Sequence, residues 1–315
     1  MTRVVVVGSF NVDHVWRCDA LPAPGATLAG EYATGPGGKG FNQAMASRRA
    51  GAETVFVCAL GSDAGGQLAR ALAAADGIDL RDEASDAPTG TAGIFVGEDG
   101  RNSIVIGPGA NATLSVAHVE AQASTIADAQ VLLTQLESPI DVVATALRLA
   151  RRAGVPSVLN TAPANATTTS ELLAQADVLT PNESEFAALI ARHTAMAIPA
   201  SAVATAGDDA LHILCRTLHP TGSVVITLGA MGSFVSHANE VMRGDDIAHY
   251  RVAAESAHVV DTTGAGDAFN GALCASMANR PGSSFAEHLR FASHYAARST
   301  EAEGAASAMP ILPVR

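Results

Sequence analysis

The chain predicts an α/β fold: a mostly parallel sheet flanked by helices on both faces, with a small β-sheet lid. Three observations predict it. Short β-branched runs alternate with Ala-rich helical stretches from end to end. The runs are continuously apolar, as in strands covered on both faces. Polar or glycine-rich segments follow the runs, where an open parallel sheet binds its ligands.

In order, the strands are expected at 3–9, 54–60, 131–136, 155–160, 178–180 and 223–228, and the helices at 42–50, 66–75, 141–153 and 208–218. Two pieces break the alternation. Residues 15–32 carry prolines and polar alternation, and 91–106 read as two strands around an Asp99-Gly100 hairpin cue. Both are expected to form a small antiparallel sheet standing off the body. The division is then 1–13, 37–90 and 107–315 for the α/β body, and 14–36 and 91–106 for the lid. No internal repeat is evident, and 191–207 has no clear periodicity.

Composition narrows the function. A hydrophobic fraction of 48% is ample for a buried core. The formal charge of −12, from 19 basic and 31 acidic residues, argues against nucleic acid or an anionic membrane as partner. A small anion held by backbone N–H groups is compatible with it. Cys18, Cys58, Cys215 and Cys274 are scattered, form no CxxC pair and read as small hydrophobes. The first strand begins at Arg3, which leaves no room for a signal peptide, and no apolar run reaches membrane-spanning length. A cytoplasmic location is expected.

The most informative segment is Asp261-Thr-Thr-Gly264-Ala265-Gly266-Asp267, followed by Phe269, Leu273 and Met277 at four-residue spacing. Small residues before a helix let N–H groups converge where the helix dipole adds positive charge. That suits an anion, or charge developing in a reaction. A carboxylate there would repel a resting phosphate, so Asp267 needs a task of its own: taking a proton from an attacking hydroxyl. The bland alternative is an acid in the first turn of an ordinary helix.

Other strand ends carry polar groups too. Asn11 and Asp13, two apart in extended chain, point one way and suit vicinal hydroxyls, although taken alone an ordinary polar turn is the better explanation. Gly37-Gly38-Lys39-Gly40-Phe41-Asn42 leads into a helix and permits close backbone approach, with Lys39 supplying charge; it lacks the Walker A pattern. Glu137 ends a strand and could hold a hydroxyl or cap a helix. Asn182 and Glu185 have capping-box spacing; the alternative places Glu185 on the water shell of a magnesium ion. Thr227, Gly229 and Gly232 form a strand end and turn compatible with a nucleotide.

The Gly37–Asn42 and Asp261–Asp267 segments resemble the two hallmark motifs of ribokinase-like (phosphofructokinase-B-type) sugar kinases. The 8–14, 109–114, 135–139, 180–185 and 226–229 segments are similar to those of the ribokinase branch, in the same order and over nearly the whole chain. The resemblance implies transfer of the ATP γ-phosphoryl group to the terminal hydroxymethyl of a pentose. It makes Asp267 the base and the N–H groups of Gly264, Ala265 and Gly266 the anion hole. Asn11, Asp13, Gly38, Lys39, Asn42 and Glu137 would hold the sugar, with Ala92 and Ile106 as apolar lid residues above it. Asn182, Thr227, Gly229, Gly232 and Ser293 would lie on the nucleotide side, with Glu185 on magnesium.

Members of this family also pair lids in a homodimer and bind potassium beside the anion hole. The corresponding residues are Asp261, Thr263, Ser299, Ala302, Gly304 and Ala308. Two positions depart from the pattern: Ala308 stands where Ser is frequent, and Ser293 where His often flanks adenine. These bear on cation activation and nucleotide selectivity, not on Asp267. A nucleoside or other furanose or ketose kinase of the same superfamily is the rival reading, and a non-catalytic sugar-binding module a remote one. An NAD-dependent oxidoreductase lacks its GxGxxG turn here.

Overall fold

The computed structural model describes residues 3–312. Nine strands form the main sheet: β1 (Arg3–Val7), β4 (Glu53–Gly61), β5 (Asp79–Ser85), β8 (Val131–Thr134), β9 (Ser157–Leu159), β10 (Val178–Leu179), β11 (Ser223–Thr227), β12 (Ser233–His237) and β13 (His249–Val252). Their order is β13-β12-β11-β10-β9-β8-β1-β4-β5, parallel except that β12 runs antiparallel to both neighbours. All six strands expected from the sequence are present. The sequence reading missed β5, β12 and β13. β5 is a polar edge strand (DLRDEAS), and β12 hides its strand character in serine and histidine.

The alternation of β1 shows why the sheet needs cover on both sides. Val4 and Val6 enter one core, Val5 and Val7 the other, and all four are fully buried. The first core is closed by α1 (Lys39–Arg49), α2 (Ala64–Asp76), α6 (Ala265–Asn279) and α7 (Phe285–Ser299). The second is closed by α3 (Ile140–Ala153), α4 (Glu183–His193) and α5 (Asp208–Leu218). Helix α6 is buried along most of its length rather than on the one face its apolar spacing suggested, because α1 and α7 pack on either side of it.

A second sheet has the order β3-β2-β6-β7, built from β2 (Asn11–Cys18), β3 (Glu31–Gly37), β6 (Gly90–Gly97) and β7 (Asn102–Gly107). The expected hairpin turns at Gly100, whose φ of 77° the Asp-Gly pair accommodates. One expectation is corrected: the sheet is not wholly antiparallel, because β2 and β6 pair in parallel. The long crossover through α1, β4, α2 and β5 separates them, so both strands leave the body in the same direction. Asp13, Ala92 and Ile106 lie in one cross-strand row.

The crossing of α1 over α6 matters most for the site. A Cβ at Gly271 of α6 would sit 2.4 Å from the Gln43 carbonyl oxygen and 2.5 Å from the Ala46 Cβ of α1. Gly271→Ala should therefore force the helices apart, at a cost of about 1–3 kcal/mol. The expected outcome is a lower Tm together with a lower kcat, because the same contact brings α1 to Asp267. An unchanged Tm by calorimetry would contradict this packing.

Candidate active site

The glycine loop before α1 lies against the end of β1. Gly38 has φ 86°, and a Cβ there would meet the Asn11 amide nitrogen at 2.7 Å. Phe41 packs edge-on to Phe10 with centroids 5.0 Å apart, and its N–H donates to the Ser9 carbonyl at 2.9 Å. Glu137 ties the loop down: one of its oxygens accepts from Ser9 Oγ at 2.6 Å and from the Lys39 N–H at 3.0 Å.

Across from this loop, α6 begins. Gly264, with φ 77°, is its N-cap, and Asp267 is the third helical residue. The Asp267 carboxylate is 7% exposed and lines a cavity of about 190 Å³. Its oxygens accept from Asn42 Nδ2 and Gln43 Nε2, each at 2.9 Å. Burial raises its pKa, and although the Lys39 charge and these two amides oppose the rise, the carboxyl stays above the usual range. That is the direction a general base needs.

The expected donors need one correction. The Ala265 N–H closes a turn onto the Thr262 carbonyl at 3.1 Å, so it is already engaged. Gly264, left-handed at φ 77°, sits within this turn. The N–H groups of Gly264, Gly266 and Asp267 carry no hydrogen bond to protein among the described residues, as expected for the first turn of a helix.

Four carboxylates and one amine define the electrostatics. Burial, then the charges of Glu137 and Asp267, push the Asp13 pKa up to about 7. Burial disfavours the Lys39 charge, but Asp267, Glu137 and Glu185 overcome it and raise its pKa. Burial also raises Glu185, which is 5% exposed. Glu185 and Asn182 do form the capping box, with Asn182 N–H to Glu185 Oε2 at 3.0 Å and Glu185 N–H to Asn182 Oδ1 at 2.9 Å. The cap and the cleft share these residues, since both line the cavity with Thr227.

The remaining candidates divide. Asn11 is buried and its Oδ1 accepts from Asn111 Nδ2 at 2.8 Å. Asn42 Oδ1 is buried without a partner among the described residues, an acceptor awaiting a donor. Gly229, Gly232 and Ser293 lie outside the cavity lining. Asp261 accepts from the Thr263 N–H, Thr263 Oγ1 and the Gly304 N–H at 2.9, 2.6 and 3.0 Å. Ser299 Oγ donates to the Ala296 carbonyl, and the Ala308 N–H to that of Ala305.

The model of the pfkB family of carbohydrate kinases matches residues 1–312. The chain belongs to this family. It is 38% identical over 314 residues to the ribokinase of Haemophilus influenzae, covering 98% of this chain and 95% of that one. The structure of Giardia lamblia ribokinase superposes with a TM-score of 0.86 at 29% identity, covering 98% and 95% of the two chains. That of Arabidopsis thaliana ribokinase complexed with ribose and ATP gives 0.79 at 31% identity, covering 98% and 95%.

Sequence reasoning missed an amide network behind the Asp267 carboxylate. Gln43 Nε2 reaches Asn160 Oδ1 at 3.1 Å, Gln135 Nε2 reaches Gln43 Oε1 at 2.6 Å, and Asn160 Nδ2 reaches the Thr180 carbonyl at 2.9 Å. Asn270 receives Thr180 Oγ1 at 2.6 Å and lines the cleft. Two signals were available. Asn160 ends an expected strand, and Asn270 lies three residues after Asp267 on the same helical face.

The raised Asp13 pKa has a measurable consequence. The native state binds more protons at this group than the unfolded chain does between about pH 4 and pH 7, so this contribution to stability falls as pH rises through that window. Asp13→Asn removes the charge. The variant's Tm, relative to the unmodified protein, should improve from about pH 5 to about pH 8. A pH-independent difference in Tm would place Asp13 in a solvated, uncoupled environment.

Proposed function

We propose that this carbohydrate kinase transfers the γ-phosphoryl group of ATP to the terminal hydroxymethyl of D-ribose, giving ribose 5-phosphate. One observation carries the mechanism: a buried, amide-held Asp267 stands beside unspent N–H groups at the start of α6, within electrostatic reach of Asp13 and Glu137. The relatives named ribokinase support the acceptor.

In this reading Asn11, Asp13, Asn42 Oδ1 and the free oxygen of Glu137 take the sugar hydroxyls, with the Gly38 and Lys39 backbone close by. Ala92 and Ile106 cover the sugar from the second sheet, which acts as its lid. Asp267 accepts the proton of the attacking hydroxyl. Its raised pKa keeps it basic enough to draw that proton as the new bond forms. The N–H groups of Gly264 and Gly266 meet the charge on the transferred group, and Lys39 balances the carboxylates around it. Thr227 and Asn182 face the nucleotide.

Glu185 and Asn182 offer oxygen donors that fit the water shell of a magnesium ion, which supplies charge neutralisation to the phosphates. A potassium ion fits the 261–308 region less well. Ala308 supplies no side-chain oxygen where members of the family often carry Ser. Activation by potassium is accordingly expected to be weak.

Two settings complete the proposal. Every residue of edge strand β7 is exposed, Ile104, Val105 and Ile106 at 51%, 67% and 46%. Such an edge invites pairing, and we assign it to lid-to-lid contact in a homodimer. No helix among the described residues is long and apolar enough to cross a membrane. The four cysteines are free, as suits a reducing compartment, and we place the reaction in the cytoplasm.

A coupled ADP-release assay over ribose, deoxyribose, fructose and adenosine, with and without potassium, tests the acceptor and the cation together. Ribose should be preferred, with a modest potassium effect; turnover on adenosine alone would overturn the acceptor. Asp267→Asn should lower kcat by about 10²–10⁴ while calorimetric sugar binding persists. Undiminished kcat in that variant would remove Asp267 as the base.

A further inference from the structure

We propose that Asn270 is a positioning residue that ties the anion hole to the base, through a closed circuit of hydrogen bonds running by way of Thr180, Asn160 and Gln43. This role rests on the kinase reading above. The circuit starts on α6 itself. Asn270 lies one turn after Gly266, and its Nδ2 donates to the Gly266 carbonyl at 2.8 Å. Its Oδ1 accepts from Thr180 Oγ1 at 2.6 Å, and the Thr180 carbonyl accepts from Asn160 Nδ2 at 2.9 Å. Asn160 Oδ1 accepts from Gln43 Nε2 at 3.1 Å, and the same nitrogen reaches Asp267 Oδ1 at 2.9 Å. The Gly266 carbonyl shares a peptide unit with the Asp267 N–H. The path therefore leaves the Asp267 carboxylate and returns to the Asp267 backbone.

Only one sense of the amides satisfies this circuit. An ionised carboxylate accepts and never donates, so Gln43 turns Nε2 toward Asp267 and Oε1 toward Gln135. Gln135 then has to present its own Nε2 to that oxygen, at 2.6 Å, and its Oε1 is left buried without a partner among the described residues. Protein interiors seldom leave such an acceptor unpaired. Here the unpaired oxygen marks a network oriented for Asp267 and not for its own satisfaction. Gln43, Asn160, Thr180 and Asn270 are all buried, which makes each partner costly to lose.

Two effects follow at the reacting end. A side-chain donor on the Gly266 carbonyl polarises its peptide and strengthens the Asp267 N–H, one of the unspent amides at the start of α6. Thr180 directly follows β10, so its bond to Asn270 also fixes the start of the helix against the sheet. Anion hole and base then keep one spacing while negative charge builds on the transferred group.

The test uses the full chain with Asn270→Ala, Asn270→Ser, Thr180→Val, and Asn270→Ala combined with Thr180→Val. Asn270→Ala should lower kcat roughly tenfold, with KM for ATP and for sugar within about twofold of the unmodified protein. Asn270→Ser, whose hydroxyl can bond the carbonyl four residues back, should recover part of the loss. Thr180→Val should lower kcat to a similar degree. The double variant should lose no more than the worse single one, because both substitutions cut the same circuit. In proton–nitrogen correlation spectra, Asn270→Ala and Thr180→Val should each shift the side-chain amide of Gln43, which bonds to neither residue. That signal needs no turnover, so inactivity of the unmodified protein on every sugar would be a failure of the kinase reading alone. An unmoved Gln43 amide, unchanged kcat in Asn270→Ala, or kcat losses that multiply in the double variant would each overturn the proposal. So would a raised KM at constant kcat, which would make Asn270 a ligand contact.

Discussion

A carboxylate kept in a protein interior without an ion-paired neighbour in direct contact is the constraint around which this structure is organised. Burying such a charge is costly unless donors replace the lost water. Two side-chain amides from successive residues, Asn42 and Gln43, do so for Asp267, with Lys39 adding charge at longer range. Successive residues on a helix diverge by about 100°. Both can reach one carboxylate only where α1 crosses α6 closely, which the absence of a side chain at Gly271 permits. The amides are themselves anchored: Gln43 is gripped by Gln135 and Asn160, and Asn160 by Thr180. A carboxylate held this way would lose little order on reaching a transition state as the proposed base, because its supports are already in place.

The same region carries an excess of negative charge that folding alone does not favour. Asp13, Glu137, Glu185 and Asp267 face a single lysine, and burial, reinforced by the charges of Glu137 and Asp267, shifts Asp13 upward. Local choices that oppose stability are the mark of a working site. In the proposed reading, a sugar that donates hydroxyls to Asp13, Glu137 and Asp267 would relieve part of the conflict. Glu137 shows how the fold shares its residues between the two demands, since one oxygen holds the glycine loop to Ser9 while the other stays free. Asn182 and Glu185 likewise cap α4 and line the cleft.

Much of this was legible in the sequence because it rests on local rules. Continuous Val runs located the buried strands, and glycine next to an acid located the start of α6. The Asp-Gly pair located the β6–β7 turn. Legibility failed where the outcome depended on tertiary partners. The polar edge strand β5 has no alternation to display, and β12 conceals its buried strand among Ser and His that bond Arg216, His212 and Asp245. The parallel pairing of β2 with β6 follows from a crossover that no local pattern encodes. Gln43 escaped because a buried glutamine on a helix resembles any other until the opposing helix is known. The Ala265 amide illustrates the converse: three consecutive small residues look equivalent, yet the turn at the left-handed Gly264 spends one of their N–H groups on Thr262.

The most direct test of the central claim is a crystal structure with ribose, ADP, magnesium and a fluoroaluminate in place of the transferred phosphoryl group. The account requires the terminal hydroxyl of the sugar within hydrogen-bond distance of an Asp267 oxygen, in line with aluminium. The fluorides should face the Gly264 and Gly266 N–H groups. A hydroxyl held by another carboxylate, with Asp267 still bonded only to Asn42 and Gln43, would contradict it.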